Sequence, residues 1–305
     1  MSNSLPVGAW LSVLRISNAP TVISQVLAGV AIGIYTHVID TYALFGLTVL
    51  VGVGILLSYL AGMVLNDAFD ARIDAIERPS RPIPSGRISL FIARFVGGSM
   101  LLVGIGMLAV ASPATFIWAL VLGVCIVAYD ILHSLSAGSF LLIASCRALV
   151  PIIAAFAVNQ DAEWSLLSWV AVGSFTFIAA VSIAARNEMV GFGVVARAAS
   201  WVLVVATCVP IAMWYVAGVC PNNALFVAAG LGSVAIAVSL VMVGIRTASG
   251  AEPACCVPVA VATWIGAIPA VDAATCFLLG RPILAALCLG MLVVARTLRP
   301  RFAGS

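Results

Sequence analysis

Charged side chains are scarce in this chain, and lysine is absent from it. Of the 305 residues only 8% are charged and 64% are hydrophobic, whereas soluble domains carry roughly a quarter charged residues. This composition excludes an ordinary water-soluble domain. Because a bilayer requires every backbone polar group to be paired internally, apolar runs of about 20 residues predict a bundle of transmembrane helices. A transmembrane β-barrel is excluded, since its strands would alternate and be less apolar.

Basic clusters and metal-binding cysteine spacings are absent as well. The formal charge is +3, and the fourteen basic residues, all arginine, form no long run, which excludes a nucleic-acid partner. The lack of lysine either favours bidentate phosphate recognition or reflects a codon or lineage bias. The eight cysteines show neither a CxxC pair nor a zinc-like His spacing, so they are expected to be core residues. No basic segment with a cleavage site precedes the first apolar run, and we expect that run to be a retained helix.

Apolar runs divide the chain into ten predicted transmembrane spans. We therefore expect one all-α membrane domain over residues 1–305, a polytopic bundle of nine to ten helices. The last boundary, Gly280-Arg281-Pro282, is either a tight turn between two spans or a break inside a re-entrant segment. The predicted spans are residues 21–39, 44–65, 90–111, 114–132, 138–157, 165–185, 199–218, 224–245, 255–279 and 282–298.

The arginines are distributed unequally between the two ends of these spans. Alternating the spans places twelve arginines on one side, Arg281 alone on the other and Arg147 within a span. The positive-inside rule makes the arginine-rich side cytoplasmic. This predicts a multi-pass protein of the inner (plasma) membrane with both termini in the cytoplasm.

The segment that joins the second and third spans carries a concentrated set of charges. Asp67, Asp70 and Asp74 are spaced i, i+3, i+7, which predicts three carboxylates on one helical face. Such carboxylates repel one another unless a cation lies between them, and their oxygens suit Mg²⁺ bound together with substrate phosphates. Arg78 and Arg81 follow at once and offer forked donors for phosphate oxygens. The alternative is a solvated helix end without a ligand.

At these residues the sequence resembles the UbiA superfamily of intramembrane prenyltransferases. The family's first motif is Asn-Asp-x-x-Asp-x-x-x-Asp, which corresponds to Asn66, Asp67, Asp70 and Asp74, and residues 81–86 look like the loop that follows it. The resemblance implies a UbiA-type bundle whose central cavity opens near the cytoplasmic face. It also implies that Mg²⁺, bound by the three aspartates, holds a polyprenyl diphosphate whose prenyl group passes to an acceptor.

The end of the fourth span departs from the family pattern. Many members have Tyr-x-x-x-Lys there, and this chain has Tyr129 and His133. A phosphate contact made by histidine in place of lysine would depend on pH; otherwise His133 is a helix-end residue that faces water. Asp130 either contacts the acceptor or pairs with an arginine.

The end of the sixth span departs further. Most family members carry a second aspartate-rich motif there, and this chain has Arg186, Asn187 and Glu188. Because only Glu188 is acidic, Arg186 and Asn187 are expected to contact phosphate directly in place of a second metal. The Arg-x-Glu-x-x-Gly pattern is most similar to the EboC-like branch of the superfamily.

Three further polar residues fall inside predicted spans. Arg147 needs an anion, which is either the diphosphate or a buried carboxylate. Asn18 belongs to a polar stripe of the first span with Arg15 and Gln25, and it contacts either a ligand or a neighbouring helix. Asp272 lies too far toward the outer side to be assigned to the metal site.

The function that these residues predict is Mg²⁺-dependent prenyl transfer to a small acceptor. In that interpretation Asp67, Asp70 and Asp74 hold the metal, while the arginines neutralise the diphosphate. Two alternatives stay open: a UbiA-type terpene cyclase, and a non-catalytic lipid-binding or permease-like protein. The residues do not identify the acceptor.

Overall fold

The structure is a computed structural model that describes residues 7–133, 137–186, 192–219, 221, 223–250 and 253–302, with side chains except at 137, 253–255 and 299–302. Within these ranges every regular element is a helix. Two short 3-10 helices, Ile16–Asn18 and Ala137–Ser139, precede long α-helices. The α-helices are α1 (Val7–Val13), α2 (Ala19–Gly33), α3 (Thr41–Phe69), α4 (Ala71–Glu77), α5 (Leu90–Ala111), α6 (Pro113–Leu132), α7 (Phe140–Val158), α8 (Trp164–Ala185), α9 (Val194–Thr207), α10 (Val209–Val216), α11 (Ala224–Ala248), α12 (Pro253–Ile265), α13 (Ile268–Leu278) and α14 (Pro282–Phe302).

The predicted transmembrane bundle is confirmed by the number and the composition of these helices. Among the described residues, eight helical stretches are long and apolar enough to cross a bilayer, and α9 with α10 forms a ninth if the pair is one span. The apolar part of α14, Pro282–Leu298, is shorter. Each of the ten predicted segments thus corresponds to one helix or to one pair of consecutive helices.

Two predicted spans differ from the structure. The first one begins earlier, at Ile16, and ends at Gly33, so residues 34–39 are not part of it. The seventh consists of two helices, because α9 ends at Thr207 and α10 continues at an angle of 41°. Pro210 lies in the first turn of α10 and has no N–H to donate to the preceding turn, which explains the break.

The boundary near Gly280 is a tight turn between two helices. Gly280 has a φ of 71°, a left-handed conformation that glycine adopts without steric cost. The turn directs Arg281 toward α2, where its Nη2 donates to the carbonyl of Ile34 at 2.5 Å. This hydrogen bond satisfies a carbonyl just after the end of α2.

Helix α2 is the most enclosed of the long helices, with nearly all of its residues buried against α7, α13, α14 and α3. Its closest approach is to α7, where a Cβ at Gly29 would lie 2.8 Å from the Cβ of Ala154 and would also meet the carbonyl oxygen of Pro151. Small residues permit such approaches in membrane bundles. The position of α2 matters for the site, because its first turns carry Asn18, Thr21 and Gln25.

We predict that Gly29→Ala destabilises the protein, because the added methyl group forces α2 away from α7. Overpacking of this kind costs about 1–3 kcal/mol. Thermal unfolding in detergent should show a lower midpoint for Gly29→Ala. The matched control is Gly98→Ala in α5, where the new Cβ meets nothing within 4 Å; a similar loss in both variants would contradict close α2–α7 packing.

Candidate functional site

The three aspartates of the first motif lie where α3 gives way to α4. Asp70 is at once the C-cap of α3 and the N-cap of α4. Asp67 and Asp74 are buried, and both face Arg81, whose Nη1 lies 2.7 Å from Asp74 Oδ2 and 3.7 Å from Asp67 Oδ1. Asp70 points elsewhere, toward His133. Asp70 keeps helical dihedrals, and the backbone hydrogen bonds continue through it to Asp74. The carboxylates nevertheless face different cationic groups, which lessens their mutual repulsion.

Arg15 is a second cation at Asp67, and the sequence analysis did not assign it to the site. Its Nη2 donates to Asp67 Oδ1 at 3.3 Å across 52 residues of chain. Its backbone is left-handed, with a φ of 45°, a conformation that costs a non-glycine residue about 1–2 kcal/mol. The sequence contained one indication that Arg15 lies near the site, because Arg15 belongs to the polar stripe of the first span.

The remaining arginines of the loop after α4 differ in their contacts. Arg78 is exposed and has no ion pair among the described residues. Arg87 donates to the carbonyl of Ser80 at 2.6 Å and to the hydroxyl of Ser85 at 3.1 Å, so it braces the loop and does not pair with a carboxylate. Arg81 is thus the loop arginine that enters the site.

His133 lies in the site and not on a water-facing helix end, since its side chain is only 19% exposed. Its Nε2 is 2.8 Å from Asp70 Oδ2 and its Nδ1 is 3.2 Å from the carbonyl oxygen of Asp130. Both partners are acceptors, so both ring nitrogens are satisfied only when each carries a proton. The hydrogen bond to Asp70 accordingly raises the pKa of His133 above its usual value, and the ring stacks on Tyr129.

Two buried polar atoms beside these groups have no hydrogen-bond partner in the described part of the chain. They are Asn66 Nδ2 and Asp130 Oδ2, which belong to neighbouring side chains but do not form a hydrogen bond of good geometry. A buried amide donor and a buried carboxylate acceptor without partners are costly. The expectation that Asp130 pairs with an arginine is not met by a direct ion pair among the described side chains.

The carboxylates fit a magnesium ion by chemistry but do not form a ready-made cage. Within the described ranges no group of three His, Cys, Asp or Glu side chains is arranged to hold a metal ion. Their oxygens are the hard ligands that Mg²⁺ prefers, but Arg15, Arg81 and His133 face them instead. The ion pairs use one oxygen of each carboxylate, so a metal bound here would compete with these cationic groups for the carboxylates.

Arg147 lies in the span of α7 and reaches α2. It donates through Nη1 to Gln25 Oε1 at 2.9 Å and through Nη2 to Thr21 Oγ1 at 3.0 Å, and its guanidinium lies 5.5 Å from the Tyr59 ring centroid. Both hydrogen-bond partners are neutral. No carboxylate lies within 4 Å of it among the described residues, so its charge is not paired directly. Asn18 lies beside the Tyr59 hydroxyl on the same side.

Arg186 lies at the end of α8, at the mouth of a cavity of about 240 Å³. It donates to Ser139 Oγ at 2.9 Å, and its guanidinium lies 5.8 Å from the Phe140 ring centroid. Tyr129 and Ser182 also line the cavity, which therefore adjoins the Tyr129–His133 pair. Asn187 and Glu188, predicted for this site, lie outside the described residues.

Comparison with known proteins identifies the family. The family model of the UbiA prenyltransferase family matches residues 22–257, which is well over half of the chain and includes Asn66 to Arg186. The chain belongs to the UbiA prenyltransferase family. This UbiA family member is 40% identical over 107 residues to digeranylgeranylglyceryl phosphate synthase of Methanoregula boonei, a match of 35% of this chain and 38% of that protein. The match thus spans well under half of the relative's length.

Solved structures show the same fold. A digeranylgeranylglyceryl phosphate synthase structure has a TM-score of 0.62 at 18% identity and covers 91% of this chain and 99% of its own. A UbiA homologue from Archaeoglobus fulgidus, solved with GPP and Mg²⁺, has a TM-score of 0.55 at 12% identity and covers 93% and 99%. The UbiA-type architecture predicted from sequence is therefore confirmed.

We predict that Arg81→Ala lowers the stability of the metal-free protein, because it removes the ion-pair partner of Asp74 and a cation near Asp67. An unsatisfied buried acceptor costs about 1–3 kcal/mol. Thermal unfolding in detergent with chelator should report the loss. Arg87→Ala removes an arginine from the same loop without touching a carboxylate, and an equal effect of both variants would contradict the pairing.

Proposed function

We propose that this UbiA family member is a Mg²⁺-dependent intramembrane prenyltransferase that ionises a polyprenyl diphosphate and transfers the prenyl group to a small acceptor. The observation that carries the proposal is the convergence of three aspartates, two arginines and His133 on one end of the bundle. The relatives support it, because the Methanoregula boonei protein is named as a synthase and the Archaeoglobus homologue binds GPP and Mg²⁺.

Asp67, Asp70 and Asp74 would hold the metal, with Asn66 beside them. Bound there, Mg²⁺ would neutralise charge on the diphosphate and make it a better leaving group. Asn66 Nδ2 is a buried donor without a partner in the described structure, and a phosphate oxygen would satisfy it. Binding of the metal and the diphosphate would thus relieve two unfavourable features of the ligand-free site. These are the repulsion among the aspartates and the unsatisfied amide of Asn66.

The arginines would bind the diphosphate from several directions. With Mg²⁺ on the aspartates, Arg81, which pairs with Asp74 in this structure, would be able to donate to phosphate oxygens, and Arg78 is exposed nearby. Arg147 carries a charge that is not paired directly and that faces Tyr59, deeper in the bundle. Arg186 lines the cavity at the end of α8, and His133, at the end of α6, stacks on Tyr129, which lines the same cavity. Charge-assisted and bidentate contacts of arginine are strong and geometrically specific for phosphate.

The reaction then needs few groups beyond these. The C1–O bond of the prenyl diphosphate breaks with its electron pair on the leaving diphosphate, and the acceptor's nucleophilic atom forms the new bond to C1. The acceptor's proton passes to released diphosphate or to a nearby carboxylate such as Asp130, whose Oδ2 has no partner among the described residues. The apolar helices hold the isoprenoid tail and exclude water from the cation.

The proposed function also includes the location and the orientation of the protein in the membrane. The carboxylate end of the bundle, which contains Asp67, Asp70 and Asp74, faces the cytoplasm, and the protein is a single multi-pass domain of the inner (plasma) membrane with both termini inside. The positive-inside distribution of arginine supports this orientation. A water-soluble prenyl diphosphate headgroup would then reach the site from the cytoplasm while its tail lies in the bilayer.

The direct test is mass spectrometry of products formed by the purified protein with Mg²⁺, prenyl diphosphates of several lengths and candidate acceptors. Transfer predicts a product that contains both the prenyl group and the acceptor, and none without acceptor. A cyclised hydrocarbon formed without acceptor would show a terpene cyclase instead. Tight binding without any turnover would support the lipid-binding alternative.

We predict that Asp67→Asn and Asp70→Asn each abolish Mg²⁺-dependent binding of prenyl diphosphate and leave the fold intact, because both side chains lie at a helix end and not in the apolar core. The measurement is ligand binding with and without chelator, beside a thermal unfolding curve. Asp161→Asn, an exposed aspartate before α8, is the matched control. Unchanged, chelator-insensitive affinity in both motif variants would contradict the assignment.

A further inference from the structure

Asp272 is an acidic residue of α13 inside the bundle, and the proposed reaction does not use it. Asp272 is buried, with only 4% of its surface exposed. An aspartate in a membrane span is costly to insert and commonly marks a functional contact. The hydrogen bond that the structure shows for it is to Ser24 of α2, whose Oγ lies 2.6 Å from Asp272 Oδ2.

Ser24 belongs to the polar part of α2 that also holds Arg147. Its Oγ is 3.1 Å from the carbonyl oxygen of Thr21, and Thr21 and Gln25, one helical turn apart, accept the two hydrogen bonds of Arg147. Thr21 Oγ1 in turn donates to the carbonyl of Asn18 at 2.7 Å. Thr21, Ser24 and Gln25 lie on one face of α2, so the same face contacts Asp272 through Ser24 and Arg147 through Thr21 and Gln25.

A second connection runs through a small cavity beside the same residues. Gln25 Oε1 faces Arg147, so its Nε2 donates away from it, to Ser174 Oγ of α8 at 3.2 Å. Gln25, Ser174, Asp272 and Thr275 line a cavity of about 30 Å³ whose other walls are mainly apolar. The cavity is large enough for one water molecule, and it offers several polar partners, as a buried water requires.

We propose that Asp272 is a positioning residue for Arg147: by accepting from Ser24 it fixes the rotation of the first turns of α2, and these turns hold the guanidinium toward Tyr59. A single water in the adjoining cavity links Asp272 to Ser174 and Gln25 as a second support. The catalytic meaning of this arrangement rests on the proposed function, in which Arg147 binds diphosphate.

The physical reason is that Arg147 has no direct carboxylate partner among the described residues and depends on two neutral acceptors for its position. Thr21 and Gln25 can present their oxygens together only at one rotation of α2. That rotation is set by the packing of α2 against α13. It is also set by the hydrogen bond between Ser24 and Asp272, which lie 248 positions apart in the sequence. Asparagine at 272 keeps an acceptor oxygen for Ser24 and a polar amide toward the cavity that Ser174 and Gln25 also line, whereas leucine of similar size keeps neither.

The test measures the state of Arg147 without any ligand. The purified full-length protein in detergent is treated with phenylglyoxal, which modifies arginine, and the rate at Arg147 is followed by peptide mass spectrometry with exposed Arg246 as the internal reference. Asp272→Leu and Ser24→Ala should each raise the rate at least about threefold, as for coupled neighbours. Asp272→Asn should restore the wild-type rate. Ser233→Ala removes a buried hydroxyl that bonds only its own helix and should change nothing.

An unchanged rate in Ser24→Ala and Asp272→Leu would overturn the proposal, as would equal rates for Asp272→Leu and Asp272→Asn. If Asp272→Leu does not fold, Ser24→Ala decides alone. In a prenyl-transfer assay the same variants should raise the KM for prenyl diphosphate about tenfold and keep kcat within about twofold, since a binding contact is weakened uniformly. Wild-type protein without prenyl diphosphate binding would refute the proposed function, and the labelling result would still decide on Asp272.

Discussion

Charge compensation in an apolar surrounding is the constraint on which the carboxylate end of this protein depends. The side chains of Asp67, Asp70 and Asp74, at the end of α3 and in α4, are mostly buried. Three like charges repel strongly where water does not screen them. The structure meets this by giving Asp67 and Asp74 arginine partners and Asp70 a histidine. Arg15, whose backbone is left-handed, and Arg81, in the loop after α4, supply the arginine contacts.

Buried charges must also be stabilised deeper in the bundle, and there neutral polar groups contact them in place of ion-pair partners. Arg147 is held by neutral oxygens of α2, and Asp272 is held by a serine of the same helix. The two opposite charges contact the same face of α2, and no ion pair joins them in the described structure. A cation left without a direct partner at depth suits a ligand that brings its own negative charge, and this is what distinguishes the present site from a purely structural ion-pair network.

The helices and the aspartate motif could be predicted from the sequence. Contacts between segments that are distant in the sequence could not. Hydropathy located ten segments because apolar composition alone sets a span, but it does not register geometry, so the bend before Pro210 was missed. Asp67, Asp70 and Asp74 could be found because they are neighbours in sequence. The Arg15–Asp67 and Ser24–Asp272 contacts join residues 52 and 248 positions apart, and no periodicity in a single sequence encodes such pairs. For Arg147 the sequence required an anion, and only the structure showed that no carboxylate touches it directly in the described part of the chain.

In the proposed reaction Arg15, Arg81 and His133 compensate the aspartates until a metal-bound diphosphate replaces them. Calorimetric titration of the purified protein with Mg²⁺, in the absence and the presence of a non-hydrolysable prenyl diphosphate, tests it most directly. The account predicts weak Mg²⁺ binding alone, because the cationic side chains must be displaced, and binding at least about tenfold tighter once diphosphate supplies ligands and accepts the released arginines. Tight Mg²⁺ binding of equal affinity in both titrations would contradict it.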